Sequence, residues 1–205
     1  MNDNSRTVFI VDDDDAVRES LSFLMKSIGI EARGFSSAPE FLEFYNDGIV
    51  GCLVLDIRMP GMSGLELQDR LNEMNAILPI IFITGHGDVP MAVEALKKGA
   101  LDFIQKPFRD QDLIDRINHA LDQDHDSRNI LSQKREILDR IDELTSREKE
   151  VMDLVVQGSP NKIIAADLDV SQRTVEIHRS RVMEKMQARS LAQLVRMTIT
   201  ASTDL

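Results

Sequence analysis

Four short stretches carry the residue types of a charged reaction centre. They are Asp12-Asp13-Asp14-Asp15 after an apolar run, Asp56 within LVLDIRMPGMSG, Thr84 within FITGHGD, and Lys106 within DFIQKPF. Two or three carboxylates cannot sit side by side and all stay ionised without a cation, because like charges in contact oppose each other's ionisation. A small number of hard oxygen ligands, with room left for water, suits Mg2+. A lysine opposite them neutralises further negative charge, and a threonine hydroxyl donates to it. This is the set expected of a carboxylate that accepts a phosphoryl group, with metal and lysine stabilising charge on the group in transfer. Each stretch taken alone has a plainer reading. An acidic run is a solvated turn, Asp14 or Asp15 favours a helix start through its dipole, and Pro60-Gly61 with Gly64 marks a turn. An EF-hand over DDDDAVRESLSF fails, since Val17 stands where glycine is needed and Phe23 where glutamate is needed. There is no Walker-type glycine loop.

The elements around these residues explain how they could meet. Strand-like runs fall at Thr7–Val11, Glu31–Phe35, Cys52–Leu55, Ile80–Ile83 and Asp102–Ile104. Helix-period stretches lie between and after them, at Ala16–Ser27, Ala38–Tyr45, Leu65–Glu73, Met91–Lys97 and Asp112–Leu121. Strands alternating with helices predict an α/β doubly wound, five-stranded parallel sheet covered on both faces. In such a sheet functional groups gather at the carboxyl ends of the strands, where all four stretches begin.

From Leu144 onwards the pattern is wholly helical. Thr145 and Glu148 form a capping box, Val151, Leu154 and Val155 give a buried stripe, and Gly158 ends that helix. Ser159 and Pro160 are expected as N-cap and first position of the next helix, which runs to Asp169. Ser171 then caps SQRTVEIHRSRVMEKM. Helix, short turn, helix is a helix-turn-helix arrangement. At about 100° per residue, Val175, Val182 and Met186 share the inner face, and Arg173, Glu176, Ile177, Ser180, Arg181 and Glu184 face outwards. An outward isoleucine suits a thymine methyl in the major groove, and Glu176 can accept from a cytosine amino group. Asn161 and Lys162, at a helix start, and Thr174, Arg179, Arg181 and Lys185 are expected as phosphate or groove-edge contacts. His178 reads as partly packed.

The overall charge is -11, which conflicts with DNA binding until it is divided along the chain. Residues 1–125 hold 11 Lys and Arg against 22 Asp and Glu, residues 126–143 hold 4 against 5, and residues 144–205 hold 9 against 8. Within the last part, Ser171–Arg196 is locally +4, from six basic and two acidic residues. A single cysteine, Cys52 in the apolar run CLVL, excludes an internal disulfide and fits a cytoplasmic protein. The N-terminus lacks a signal-peptide pattern, and no apolar run is long enough for a membrane span. Through residues 124–143 and just beyond, Ile130, Ile137 and Leu144 recur every seven, and Leu131 with Leu138 supports the same face. That spacing fits either a solvated helical linker or a continuation of the preceding helix that helps two copies pair, and two heptads are too few to establish a coiled coil.

VDDD at 11–14, LDIRMPGMSG at 55–64, ITGHGDVPMAVEALKKGA at 83–100 and DFIQKPF at 102–108 resemble the receiver domain of bacterial two-component response regulators. LTSREKEVMDLVVQGSPNKIIAADLDVSQRTVEIHRSRVMEKM resembles the four-helix LuxR/NarL-type output domain, and the combination resembles the FixJ subfamily. The resemblance implies a receiver of flavodoxin-like strand order 2-1-3-4-5 at 5–123, a helical linker at 124–143 and an all-α helix-turn-helix domain at 144–205. It implies that Asp56 takes phosphate from a sensor histidine kinase. Asp13, the Asp56 side chain and the Arg58 carbonyl would ligate Mg2+, with Asp12 acting largely through water. Thr84 and Lys106 would contact the phosphoryl oxygens, and Phe103 would be the aromatic of the switch pair. Arg58 and His86 fall where family side chains tune phosphate lifetime, His86 being read as a partly exposed loop residue. Homodimers formed on phosphorylation, double-stranded DNA half-sites and RNA polymerase are the implied partners, for a subfamily that usually activates transcription. Two rival functions fit less well. A phosphatase lacks its second aspartate, since Arg58 holds that place, and a phosphorelay adaptor would show no salt-dependent affinity for DNA.

Overall fold

A computed structural model describes residues 6–85 and 89–203. The chain divides into two compact units, residues 1–128 and 129–205. In the first, strands β1 (Thr7–Val11), β2 (Glu31–Phe35), β3 (Gly51–Asp56), β4 (Ile80–Thr84) and β5 (Asp102–Gln105) form one parallel sheet. Its order is β2-β1-β3-β4-β5. Helices α1 (Asp15–Ser27), α2 (Ala38–Phe44), α3 (Gly64–Glu73), α4 (Val89–Lys97) and the start of α5 (Asp110–Asp142) alternate with the strands.

Side-chain alternation along each strand divides the core in two. Phe9, Val11, Leu53, Leu55 and Phe82 face one way and pack with Phe41 of α2, Leu67 and Leu71 of α3 and Ala92 of α4. Val8, Ile10, Cys52, Val54, Ile81 and Ile83 face the other way, towards Leu21 and Met25 of α1 and Leu113 and Ile117 of α5. Both faces of the sheet being covered, β3 and β4 are nearly continuous apolar runs, while the edge strand β2 buries mainly Phe35. Each fully buried Leu, Ile or Phe contributes roughly 1.5–3 kcal/mol relative to exposure.

The expected helix starts have physical causes on view. Asp14 accepts from the Ala16 N–H at 2.8 Å and so caps α1, and Ser63 with Glu66 closes a capping box on α3. At Gly64 the reason is tighter than a turn preference. A β-carbon there would collide with the Asp56 carbonyl oxygen and crowd Phe82, so only glycine lets α3 begin against the end of β3.

In the second unit, α6 (Ser146–Val156), α7 (Asn161–Asp167), α8 (Gln172–Lys185) and α9 (Leu191–Ser202) enclose Val151, Val155, Ile164, Val175, Val182, Met186 and Leu194. The Thr145–Glu148 capping box is present, and Gly158 at φ +87° follows the end of α6. One boundary differs from expectation. Pro160, not Ser159, is the N-cap of α7, because its carbonyl accepts from the Ile163 and Ile164 N–H groups at 2.9 and 3.1 Å. That helix ends at Asp167 rather than Asp169, whose φ of +54° is left-handed.

The boundary between the units falls inside α5, which is a single helix of 33 residues. Within residues 124–128, His125 and Asp126 are exposed, but Asp124 and Arg128 are held against the sheet. Asp124 is buried and accepts from the Gly51 N–H at 3.0 Å and from the Arg128 guanidinium at 2.9 Å. Arg128 also donates to the carbonyls of Asp47 and Ile49. This ion pair fastens α5 to the segment leading into β3. Replacing Arg128 by Met leaves Asp124 without its cation, and breaking a buried pair on one side costs about 3 kcal/mol. The expected outcome is a lower denaturant midpoint for the first unit, measured on the full-length protein by hydrogen exchange resolved to β1 and β3.

Candidate functional site

Parallel pairing aligns the carboxyl ends of the strands. Val11 lies opposite Leu55, Asp56 opposite Ile83, and Thr84 opposite Gln105. The residues following those positions converge. Lys106 Nζ is 3.1 Å from Asp12 Oδ2 and 3.1 Å from Asp56 Oδ1. The remaining oxygens are also engaged: Asp12 Oδ1 accepts from the Asp14 N–H at 2.9 Å and Asp56 Oδ2 from the Arg58 N–H at 2.7 Å. Lys106 is itself located by its N–H, which donates to the Thr84 carbonyl at 2.8 Å, and the Lys106–Pro107 bond is cis.

The electrostatics follow from this burial. Burial raises the Asp56 carboxyl above the ordinary carboxylate range, with Lys106 partly offsetting it and Asp12 adding to it. Burial opposes the Lys106 charge, but hydrogen bonds and attraction from Asp12 and Asp56 outweigh it and hold the ammonium above the ordinary lysine range. Thr84 is buried, and its Oγ1 has no hydrogen-bond partner among the described residues. A buried hydroxyl left without a partner costs free energy, which a phosphoryl oxygen in that space would recover.

Asp12, Asp56 and Lys106 are thus brought together, with Thr84 at the neighbouring strand end. Asp13 is exposed and lies outside the hydrogen-bonded set, Arg58 is exposed, and Phe103 is half-buried against the core face that includes α4. Among the described residues no group of three or more His, Cys, Asp or Glu side chains could hold a metal ion by itself. His86 lies outside the described residues.

A second set of candidates lies on α8. Val175, Val182 and Met186 are buried, and Arg173, Glu176, Ile177, Ser180, Arg181 and Glu184 lie on the outward side, Ile177 exposed to 43%. Arg173 approaches Glu176 to 3.7 Å on the same face. Lys162 is exposed on α7. Four other candidates, Asn161, Thr174, Arg179 and Lys185, make internal contacts. Arg179 donates to Asn161 Oδ1 at 2.7 Å, joining α8 to the start of α7. Thr174 is tied into the Ser171 cap. Lys185 Nζ donates to Glu148 Oε2 at 2.7 Å and to the Glu143 carbonyl at 3.0 Å, so this half-buried ammonium is engaged within the domain. His178 is half-buried, as expected of a packed residue.

Comparison with known proteins gives a family for each of the two regions. Residues 8–118 match the family model described as the response regulator receiver domain, and residues 142–198 match the luxR family of bacterial regulatory proteins. The chain belongs to the response regulators. It is 47% identical over 198 residues to the response regulator protein TmoT of Ectopseudomonas mendocina, covering 97% of this chain and 90% of the relative. It is 49% identical over 193 residues to the transcriptional regulatory protein FixJ of Rhizobium meliloti, covering 94% and 95% respectively. Among solved structures it resembles the response regulator StyR, at a TM-score of 0.86 and 44% identity, covering 95% of this chain and 98% of that one. Full-length FixJ from B. japonicum gives a TM-score of 0.60 at 42% identity, covering 96% and 97%. The regulator is therefore a two-component transcriptional regulator with a LuxR-type DNA-binding domain, from a family of regulators and not of enzymes. Among its described residues no helix is long and apolar enough to cross a membrane.

The sequence marks Glu148 only as half of a capping box. In the structure it is also the buried partner of Lys185, and these hydrogen bonds, Lys185 first, lower its carboxyl from 4.5 to about 2. Folding of the second unit therefore favours the ionised form. That contribution is complete above pH ~4.5 and is lost as pH falls towards ~2, below which neither state carries the charge. Glu148→Gln is expected to remove this part of the acid dependence while keeping a capping side chain. Amide NMR signals of α6 and α8 in the full-length regulator, followed from neutral to acid pH, would show it.

Proposed function

We propose that the regulator accepts a phosphoryl group on Asp56 from a sensor histidine kinase. In that step an Asp56 carboxylate oxygen bonds to phosphorus as the bond from phosphorus to the kinase imidazole breaks, and the imidazole nitrogen keeps the electron pair. The observation that carries the reading is one ammonium, Lys106, shared by Asp12 and Asp56 beside a buried Thr84 hydroxyl that has no partner among the described residues. Lys106 then pairs with phosphoryl oxygen, and Thr84 Oγ1 donates to it.

The donor set fits a hard cation that keeps most of its water, since it offers only carboxylate and carbonyl oxygen. Asp13, Asp56 and the Arg58 carbonyl would hold Mg2+, with Asp12 reaching it through water. When bound, the ion supplies charge stabilisation on the transferring group. Asp56→Asn is expected to abolish phosphorylation by a small phosphoryl donor, read by intact mass. Label retained at another residue in this variant would overturn the assignment.

Phosphorylation then acts by population shift. Drawing Thr84 towards the phosphoryl group frees space that half-buried Phe103 can fill, which alters the face formed by α4 and β5. Val93 and Leu96 are already exposed on α4, and a second receiver would cover them, giving homodimers that bind paired half-sites. We take the regulator to act on promoter DNA as an activator working with RNA polymerase, in keeping with the FixJ resemblance.

On DNA, α8 enters the major groove. Glu176 and Ile177 read bases, Arg173, Arg181 and Lys162 hold phosphates, and Ser180 meets the groove edge. Glu176→Ala is expected to relax preference at one base pair of each half-site, costing about 1–3 kcal/mol of discrimination there. Selection from random DNA with the two proteins measures this. A uniform loss of affinity on every sequence would refute the base contact.

A further inference from the structure

We propose that Lys185 is a positioning residue that fixes the DNA-reading helix to the end of α5 and the start of α6, and that it does not contact phosphate. This rests on the DNA-binding reading of α8 and goes beyond it. Charge and sequence position alone assign Lys185 to the phosphate-holding group, at the basic end of a helix in a locally +4 segment. Its surroundings assign it elsewhere.

Three elements meet at the Lys185 ammonium. Glu148, on the first turn of α6, is buried and accepts from it at 2.7 Å. The Glu143 carbonyl, just beyond the last residue of α5, accepts at 3.0 Å. The stem of Lys185 rises from the last turn of α8. An ammonium has three donors, and two are committed to groups inside the domain. Reaching a phosphate would leave the Glu148 carboxylate buried with no cation beside it, the costly way to break an ion pair. The same carboxylate accepts from the Thr145 N–H at 2.9 Å, so one oxygen fixes both the start of α6 and the end of α8. The outward side chains Arg173, Glu176, Ile177 and Arg181 take their direction from the axis of α8, and this junction sets that axis.

The two roles separate in how binding depends on salt. Each phosphate contact contributes about 0.9 to the slope of log K against log salt. With the full-length regulator and a duplex selected from random DNA by the wild type, Arg181→Met is expected to lower the slope by about 0.9 per bound protomer. Lys185→Met is expected to leave the slope unchanged and to weaken specific binding about tenfold or more, the scale of a lost charge-assisted hydrogen bond. Glu148→Gln, which retains a capping side chain, is expected to weaken specific binding similarly, and the double variant no further. A slope reduced by about 0.9 in Lys185→Met would overturn the proposal. So would tighter or more salt-dependent binding by Glu148→Gln, as expected if that change released Lys185 to the backbone. Should Lys185→Met fail to fold, Lys185→Gln carries the same slope comparison. A wild type without salt-dependent affinity would instead refute the DNA-binding reading, and this proposal with it.

Discussion

The receiver depends on one ammonium shared between two carboxylates removed from water. Lys106 stands 3.1 Å from both Asp12 and Asp56, which come from the ends of two adjacent strands. A lone carboxylate removed from water is driven towards its neutral form, and two side by side repel. The cation keeps such a pair ionisable, and here it acts across the sheet, because the strand order puts β4 between β3 and β5. With strands about 4.8 Å apart, a lysine at the end of β5 spans β4 to reach β3, and the long stem suits that distance. Thr84 ends the strand being spanned, which places it at the same edge as Asp56 and Lys106. The glycine at 64 serves the same arrangement, since a side chain there would push on the Asp56 carbonyl.

Opposite electrostatic demands are met by segregation along the sequence. Carboxylates gathered around one ammonium and a DNA-binding face call for opposite surrounding charge. The first 125 residues carry an excess of 11 acidic groups, equal to the net charge of the entire chain, while α8 and its flanks are basic. Within the basic part the charges are not equivalent. Arg179 and Lys185 hydrogen-bond to Asn161 and Glu148 within the domain, and Arg173 and Arg181 lie on the outward face. Counting basic residues therefore overstates the charge offered to DNA.

Much of this is legible in the sequence, and the residues show why. Runs such as CLVL and IIFI report a buried parallel strand directly, because both faces are covered and no polar residue interrupts them. Asp12, Asp56, Thr84 and Lys106 can be grouped from the strand pattern alone, since parallel strands necessarily bring their carboxyl ends to one edge. Thr145 and Ser171 report their helix starts to the residue, and Ser159 misses by one position, because serine and proline compete for adjacent places. What is not legible depends on contacts between residues far apart in the chain. Nothing local to Lys185 announces Glu148, 37 positions away, and nothing local to Asp124 announces the Gly51 N–H, 73 positions away. The four-residue spacing of Asp124 and Arg128 is a visible sign of pairing on a helix. It gives no sign that the pair is buried.

The seven-residue repeat in α5 shows how the same pattern can arise from different causes. Ile137 and Leu144 are buried in the core of the second unit, so their spacing records the docking of a helix end. Ile130 and Leu138 stay exposed, and at eight residues apart they are offset by about 80° around the helix. Two side chains so offset do not make a continuous seam. On α4, Val93 and Leu96 are three residues apart and both exposed, which places them on one face. Pairing of two receivers, as proposed, therefore has better apolar surface on α4 than along α5. That face also adjoins β5, the strand that carries Phe103 and leads into Lys106, so the proposed phosphoryl site and the proposed pairing surface share these residues.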